Sequence, residues 1–194
     1  MAALRRAVLI VASLNLAYFG IEFFVALDIH SVSLLADSAD FFEDSAVNFL
    51  IVAALGWSAA RRAKVGMLLA AILMAPALAF IWTLWQKAVA PLPPNAVLLS
   101  VTGLGALAVN LIAAIILARH RRSGGSLVKA AWLSARNDAL ANVGIVAAGL
   151  VTLEMRSVWP DILVGFAIAM MNLDAARAVW SAAHEEHRLS DVEV

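Results

Sequence analysis

Long apolar runs alternate with short polar breaks along the whole chain. The runs cover Leu4–Leu27, Ser33–Trp57, Val65–Trp85, Ala96–Ala118, Leu127–Leu153 and Trp159–Trp180. Each is close to the roughly 20 residues that a helix needs to cross a bilayer core about 30 Å thick. The breaks carry residues that end helices. Asp28–Ser31 joins the first pair, and Ser58–Lys64 holds Arg61, Arg62 and Lys64. Lys87–Asn95 contains Pro91, Pro93 and Pro94, Arg119–Ser126 contains Gly124 and Gly125, and a polar turn near Glu154–Ser157 precedes the last run. The pattern predicts an all-α polytopic membrane protein with six transmembrane helices, the third kinked at Pro76. The first run follows arginines as a signal peptide does, but it is too long and lacks a small-residue cleavage site, so it reads as a retained helix. Residues 1–182 are expected to form one transmembrane domain. Residues 183–194 are expected to form a short cytoplasmic tail with no folded C-terminal domain after it.

Composition agrees. Of 194 residues, 63% are hydrophobic and 14% charged, against about 45–50% and about 25% in soluble domains. A soluble enzyme and a disordered chain are both excluded. The absence of cysteine removes a disulfide framework and a thiolate metal site, and the formal net charge of zero gives no footprint for nucleic acid. The basic residues are unevenly placed. Eleven fall on one side of the predicted spans (Arg5, Arg6, Arg61, Arg62, Lys64, Arg119, Arg121, Arg122, Lys129, Arg177 and Arg188), and only Lys87 and Arg156 on the other. This bias puts both termini in the cytoplasm, with a bacterial inner membrane as the expected location. Trp57, Trp82, Trp85, Trp159 and Trp180 fall near span ends, where an aromatic belt would put them.

Carboxylates inside a span are costly, and they point to function by default. The second span carries Asp37, Asp40, Glu43 and Asp44. At 100° per residue, Asp37, Asp40 and Asp44 lie within about 60° of one another, and Glu43 flanks Asp40 on the other side. Asp40 and Asp44 are an i, i+4 pair, so both can reach one ion. The fifth span offers Ser134, Asp138 and Asn142 on one stripe. Asp44 and Asp138 each lie about 16 Å along their helices, near mid-bilayer. The two helices run in opposite directions, so the stripes can face each other. Three such carboxylates repel one another unless a divalent cation or protons neutralise them. Competition between metal and protons for one site is the minimal antiport mechanism. Arg136 points about 160° away from Asp138 and is expected to snorkel to the cytoplasmic face.

The stretch from His30 to Asp44, His-Ser-Val-Ser-Leu-Leu-Ala-Asp-Ser-Ala-Asp-Phe-Phe-Glu-Asp, resembles the second transmembrane helix of the cation diffusion facilitators. The stripe Ser134, Asp138 and Asn142 is similar to that family's fifth helix, where His or Asp usually holds the first position. Asn15, Glu22 and Asn110 also fall where members often carry polar residues. The resemblance spans all six runs. It implies a homodimer that exports a divalent cation from the cytoplasm in exchange for protons, with the cation bound between the second and fifth helices. Asp40, Asp44, Asp138 and Ser134 then take the four ligand positions. The cargo is a transported ion rather than a cofactor: Zn²⁺ first, with Fe²⁺, Mn²⁺, Co²⁺, Ni²⁺ or Cd²⁺ as alternatives. Ser134 replaces the usual strong ligand, so water, Asn137 or Asn142 is left to complete the shell. An all-oxygen site suits harder ions such as Mn²⁺ or Fe²⁺.

Asp37 and Glu43 are read as supporting residues, Asp37 for orientation or proton handling. Glu22 either lines the cavity or bonds to a neighbouring helix. His184 and His187 end the last helix as a solvated tail or a weak metal-capture patch. His30, where the family usually has glycine, and His120 read as surface residues. Two rival classes were set against transport. A non-transporting relative, kept as an assembly partner or metal sensor, is favoured by Ser134. An intramembrane aspartyl hydrolase would need a Gly-x-Gly-Asp-type motif, which accompanies neither Asp44 nor Asp138. The expectation is therefore a transporter and not an enzyme.

Overall fold

The structure, a computed structural model, describes residues 2–53, 78–121 and 125–172. They form α1 (Ala2–Ile29), α2 (Val32–Ala53), α3 (78–89), α4 (Ala96–Ala118), α5 (Gly125–Met155) and α6 (Trp159–Asn172), with no strand among them. The chain is all-helical. Stretches of α1 (Ala3–Ile29), α4 (Ala96–Ala118) and α5 (Val128–Met155) are long and apolar enough to cross a membrane. α2 has 22 residues, but it carries the four carboxylates.

The fourth span matches its expectation residue for residue. Asn95 caps it, its Oδ1 accepting from the N–H groups of Val97 and Leu98, each at 3.1 Å. Four breaks need correction: Asp28 and Ile29 belong to α1, and Gly125 and Ser126 to α5. α3 continues to residue 89, so Lys87 lies in a helix and not in a loop, and Glu154 belongs to α5 and not to the turn after it. The expectations for Trp57, Arg61, Arg62, Lys64, Pro76, Arg122, Gly124, Arg177, Trp180, His184, His187, Arg188 and the tail lie outside the described residues.

α1 and α2 are joined by a tight reversal. His30 has φ 52°, and the Ser31 N–H donates to the Ala26 carbonyl at 3.0 Å. This left-handed C-terminal cap favours glycine. Ser31 Oγ then accepts from the Leu34 N–H at 3.2 Å, capping α2.

A carboxylate from the far end of the sequence completes that cap. Asp161 of α6 is fully buried. Its Oδ2 accepts from the Val32 N–H at 2.9 Å, and its Oδ1 from the Ser33 N–H at 3.0 Å and from the hydroxyls of Ser31 and Ser33 at 2.7 Å each. Lys87 Nζ of α3 lies 3.0 Å from Asp161 Oδ2 and is itself buried. Five donors from three segments thus meet on one carboxylate. It stabilises the free N–H groups and positive end of α2. Gly165, one turn further along α6, packs on the same start of α2. A Cβ there would stand 2.7 Å from the Ser33 nitrogen.

Two apolar clusters lie at opposite ends of the bundle. One gathers Val8, Val11, Val52, Ala113, Leu117 and Val128, and the other Ala26, Ile29, Leu34, Leu35, Leu99 and Ile145. Between them lies a polar layer in which Asn15, Glu22, Asp37, Asn110 and Asn142 are buried. Tyr18 ties α1 to α4 by donating to the Thr102 carbonyl at 2.6 Å, and Ser45 ties α2 to α1 by donating to the Ala12 carbonyl at 2.9 Å. Small residues allow the close approach that helices in lipid rely on.

Lys87→Met leaves Asp161 buried without its counter-charge. The substitution is expected to cost about 3–5 kcal/mol, read as a lowered thermal unfolding midpoint in detergent; an unchanged midpoint would contradict the buried pair. His30→Gly relieves the left-handed backbone and is expected to stabilise by about 1 kcal/mol in the same measurement, whereas His30→Ala is not.

Candidate functional site

α2 and α5 place their acidic stripes against one cavity of about 310 Å³. α2 contributes Asp40, Glu43 and Asp44, α5 contributes Ser134 and Asp138, and α6 contributes Asn172. The spacing accounts for the convergence: Asp40 and Asp44, like Ser134 and Asp138, stand one turn apart on their helices.

Ser134 sits between the two helices' acids. Its hydroxyl lies 3.0 Å from Asp44 Oδ1 and 3.5 Å from Asp138 Oδ2. Asp40 Oδ1 accepts a hydrogen bond from Asn172 Nδ2. Asn48 fixes the next turn of α2 by donating to the Asp44 carbonyl at 2.8 Å. Glu43 is exposed at the cavity. Among the described residues, no cationic side chain pairs with these acids; the ion pair formed there joins Lys87 to Asp161. Nor do any three carboxylate or imidazole groups among them close into a ready-made metal shell. The acids line one space, with neutral donors on their oxygens.

The remaining expected site residues are placed elsewhere. Asp37 is fully buried and does not line the cavity; Asn142 Nδ2 donates to its Oδ2 at 2.5 Å. Asn142 in turn accepts from Asn110 Nδ2 at 3.0 Å. Asn137 is exposed, outside the cavity lining, and accepts from Arg136 at 3.3 Å. Neither asparagine therefore stands beside Asp40, Asp44 and Asp138 in the cavity wall. Arg136 is exposed and lies over the Trp132 ring, 5.6 Å from its centroid, so it does not pair with Asp138.

Sequence reasoning passed over Asn172 and Asp161. Both are polar residues inside the last apolar run, and that placement is the available signal. A second cavity, of about 340 Å³, is lined by His30, Trp82, Trp85 and Lys87 among others and contains no carboxylate. Trp82, Trp85 and Trp159 are more than half exposed.

An all-helical chain with apolar spans and an acidic cavity between them defines a polytopic membrane protein that handles cations. Residues 8–183 match the family model of the cation efflux transmembrane domain, and the chain belongs to this family of cation efflux transporters. No curated protein matches it.

Proposed function

We propose that this protein is a proton-coupled antiporter that exports a divalent cation from the cytoplasm, binding it between α2 and α5. Asp40, Asp44 and Asp138 supply the charge, and Ser134 takes the fourth place. The observation that carries this reading is the gathering of those residues on one cavity with no counter-cation among the described residues. A divalent cation is the species that three facing carboxylates best accommodate, and their oxygen donors suit Mn²⁺ or Fe²⁺ as well as Zn²⁺. Protons compete for the same oxygens, so affinity is expected to fall as pH falls and each binding event to release protons. Asn172 and Ser134, both neutral donors, are displaced from the acids at little electrostatic cost. Glu43, exposed at the cavity, attracts the incoming ion.

The charge bias of the breaks supports a cytoplasmic placement of both termini in a bacterial inner membrane. Residues 1–182 form the transport domain and residues 183–194 a cytoplasmic tail. A homodimer, suggested by the family resemblance, would form through exposed apolar faces of the helices. The second reading, an assembly partner or sensor that binds metal without moving it, is favoured by Ser134 in place of a stronger ligand. It predicts binding with no flux.

Reconstituted protein is expected to move Zn²⁺, Mn²⁺ or Fe²⁺ against an opposite proton flux. Asp44→Ala and Asp138→Ala are each expected to abolish that flux. Transport that survives both substitutions would remove these residues from the site. Ser134→His adds an imidazole and is expected to raise the preference for Zn²⁺ over Mn²⁺ by about tenfold or more, since even groups behind the ligands change affinity that much. An unchanged metal profile would show that position 134 does not coordinate.

A further inference from the structure

Beside the cation cavity lies a second acidic group that cation binding does not use. Glu22 on α1 and Asp37 on α2 are fully buried, and they lie close enough to repel each other when both are charged. A file of amides leads to them: Asn110 donates to Asn142 at 3.0 Å, and Asn142 donates to Asp37 Oδ2 at 2.5 Å. That one donor is all the file delivers. Among the described residues, Asp37 Oδ1 and both oxygens of Glu22 have no hydrogen-bond partner. Asn15, two turns earlier on the same face of α1, is also fully buried with its amide unpartnered among them.

Among the described residues, the surroundings offer no compensating charge. Tyr18 on α1, Asp40 and Asp44 on α2 and Asp138 on α5 are the titratable groups that face the pair. Three carboxylates and a phenol cannot balance negative charge, and the Tyr18 proton is already committed to the Thr102 carbonyl. α4 brings Asn110 and no titratable group. A single proton resolves the conflict. It turns one carboxyl into a donor for the other, and it removes the repulsion of two buried anions.

We infer that Glu22 and Asp37 form a proton-binding site, distinct from the cation cavity, that shares one proton while the cavity is empty and releases it when a divalent cation binds. The inference rests on the transport reading proposed above. The coupling is electrostatic. Asp37 precedes Asp40 by three residues, about 4.5 Å of helix rise, and Asn142 follows Asp138 by one turn. A cation among Asp40, Asp44 and Asp138 stabilises the ionised pair across that short distance. Two positive charges arrive and one leaves from the pair, so the buried region gains one charge instead of two. Asn142 positions Asp37 without touching the cation.

Difference infrared spectroscopy of the purified full chain, with and without Mn²⁺ or Zn²⁺, tests the site directly. The wild type is expected to lose a protonated-carboxyl C=O band when metal is added. Glu22→Gln is expected to remove the band while keeping metal affinity within about threefold, and to release about one proton fewer per metal bound in unbuffered solution. Glu22→Asp is expected to keep the band, and Asp37→Asn to remove it even if Glu22→Gln does not fold. A wild-type spectrum without the band, or an unchanged proton count in Glu22→Gln, overturns the inference while leaving the transport reading intact. A requirement for Na⁺ in place of the proton signal overturns it as well, by assigning the pair to a monovalent metal ion. A wild type that binds neither metal removes the transport reading, and this inference falls with it.

Discussion

The carboxylate of Asp161 is the interaction on which the arrangement of this bundle depends. It lies on α6 but completes the N-terminus of α2, and Lys87 of α3 neutralises it. α2 carries the acids at positions 37, 40, 43 and 44, so their depth and rotation follow from where that N-terminus is held. A slip of one residue along α2 would turn the stripe by 100° and take Asp40 and Asp44 away from α5. Fixing the helix end with a charged acceptor, instead of with apolar contacts alone, makes such a slip costly. The backbone N–H groups of Val32 and Ser33 would lose their partner, which is costly inside a membrane-embedded bundle.

The buried acids divide by how their oxygens are satisfied. Asp161 accepts four hydrogen bonds and faces a lysine, which makes it a structural element that happens to be charged. Among the described residues, Asp40, Asp44 and Asp138 meet neutral donors, Asn172 and Ser134, and open onto a cavity. Glu22 and Asp37 meet each other and one amide. The three groups form a gradient from full neutralisation to almost none. An unneutralised carboxylate in a membrane interior is costly, which is why the second and third groups, and not Asp161, carry the functional proposals.

Much of this was legible in the chain. α4 could be bounded closely because Pro93 and Pro94 stop the preceding segment and Asn95 is a strong cap. The facing of Asp44, Ser134 and Asp138 followed from i, i+4 spacing and equal depth, which depend only on helix geometry. What the sequence did not yield depends on contacts between distant segments. Lys87 looked like a loop residue because nothing local reveals that Asp161 pairs with it. Asn172 looked incidental because its partner, Asp40, is 132 residues away. Asn137 is a candidate to complete the shell by residue type alone, yet adjacent helix positions point about 100° apart, and it is exposed. His30 was read as a surface residue. Its backbone is the informative part, because the reversal between α1 and α2 uses a left-handed conformation there.

The donors in the cavity also bear on why it holds no closed metal shell. Asn172 engages Asp40, and Ser134 stands between Asp44 and Asp138, so the oxygens a cation would need are hydrogen-bonded to neutral groups. A lysine or arginine in those places would bind the acids too well to be displaced, and no donor at all would leave them repelling one another. Amide and hydroxyl donors lie between these extremes, with each bond worth only about 0.5–1.5 kcal/mol net, or about 1.5–3 kcal/mol to a charged group. Asn172 and Asp161 attach α6 to α2 at two separate levels. A cation that drew Asp40 away from Asn172 would loosen α6 near the cavity while Asp161 still held the other end. The strongest contact in the bundle would then act as a pivot and the weaker one as the part that yields.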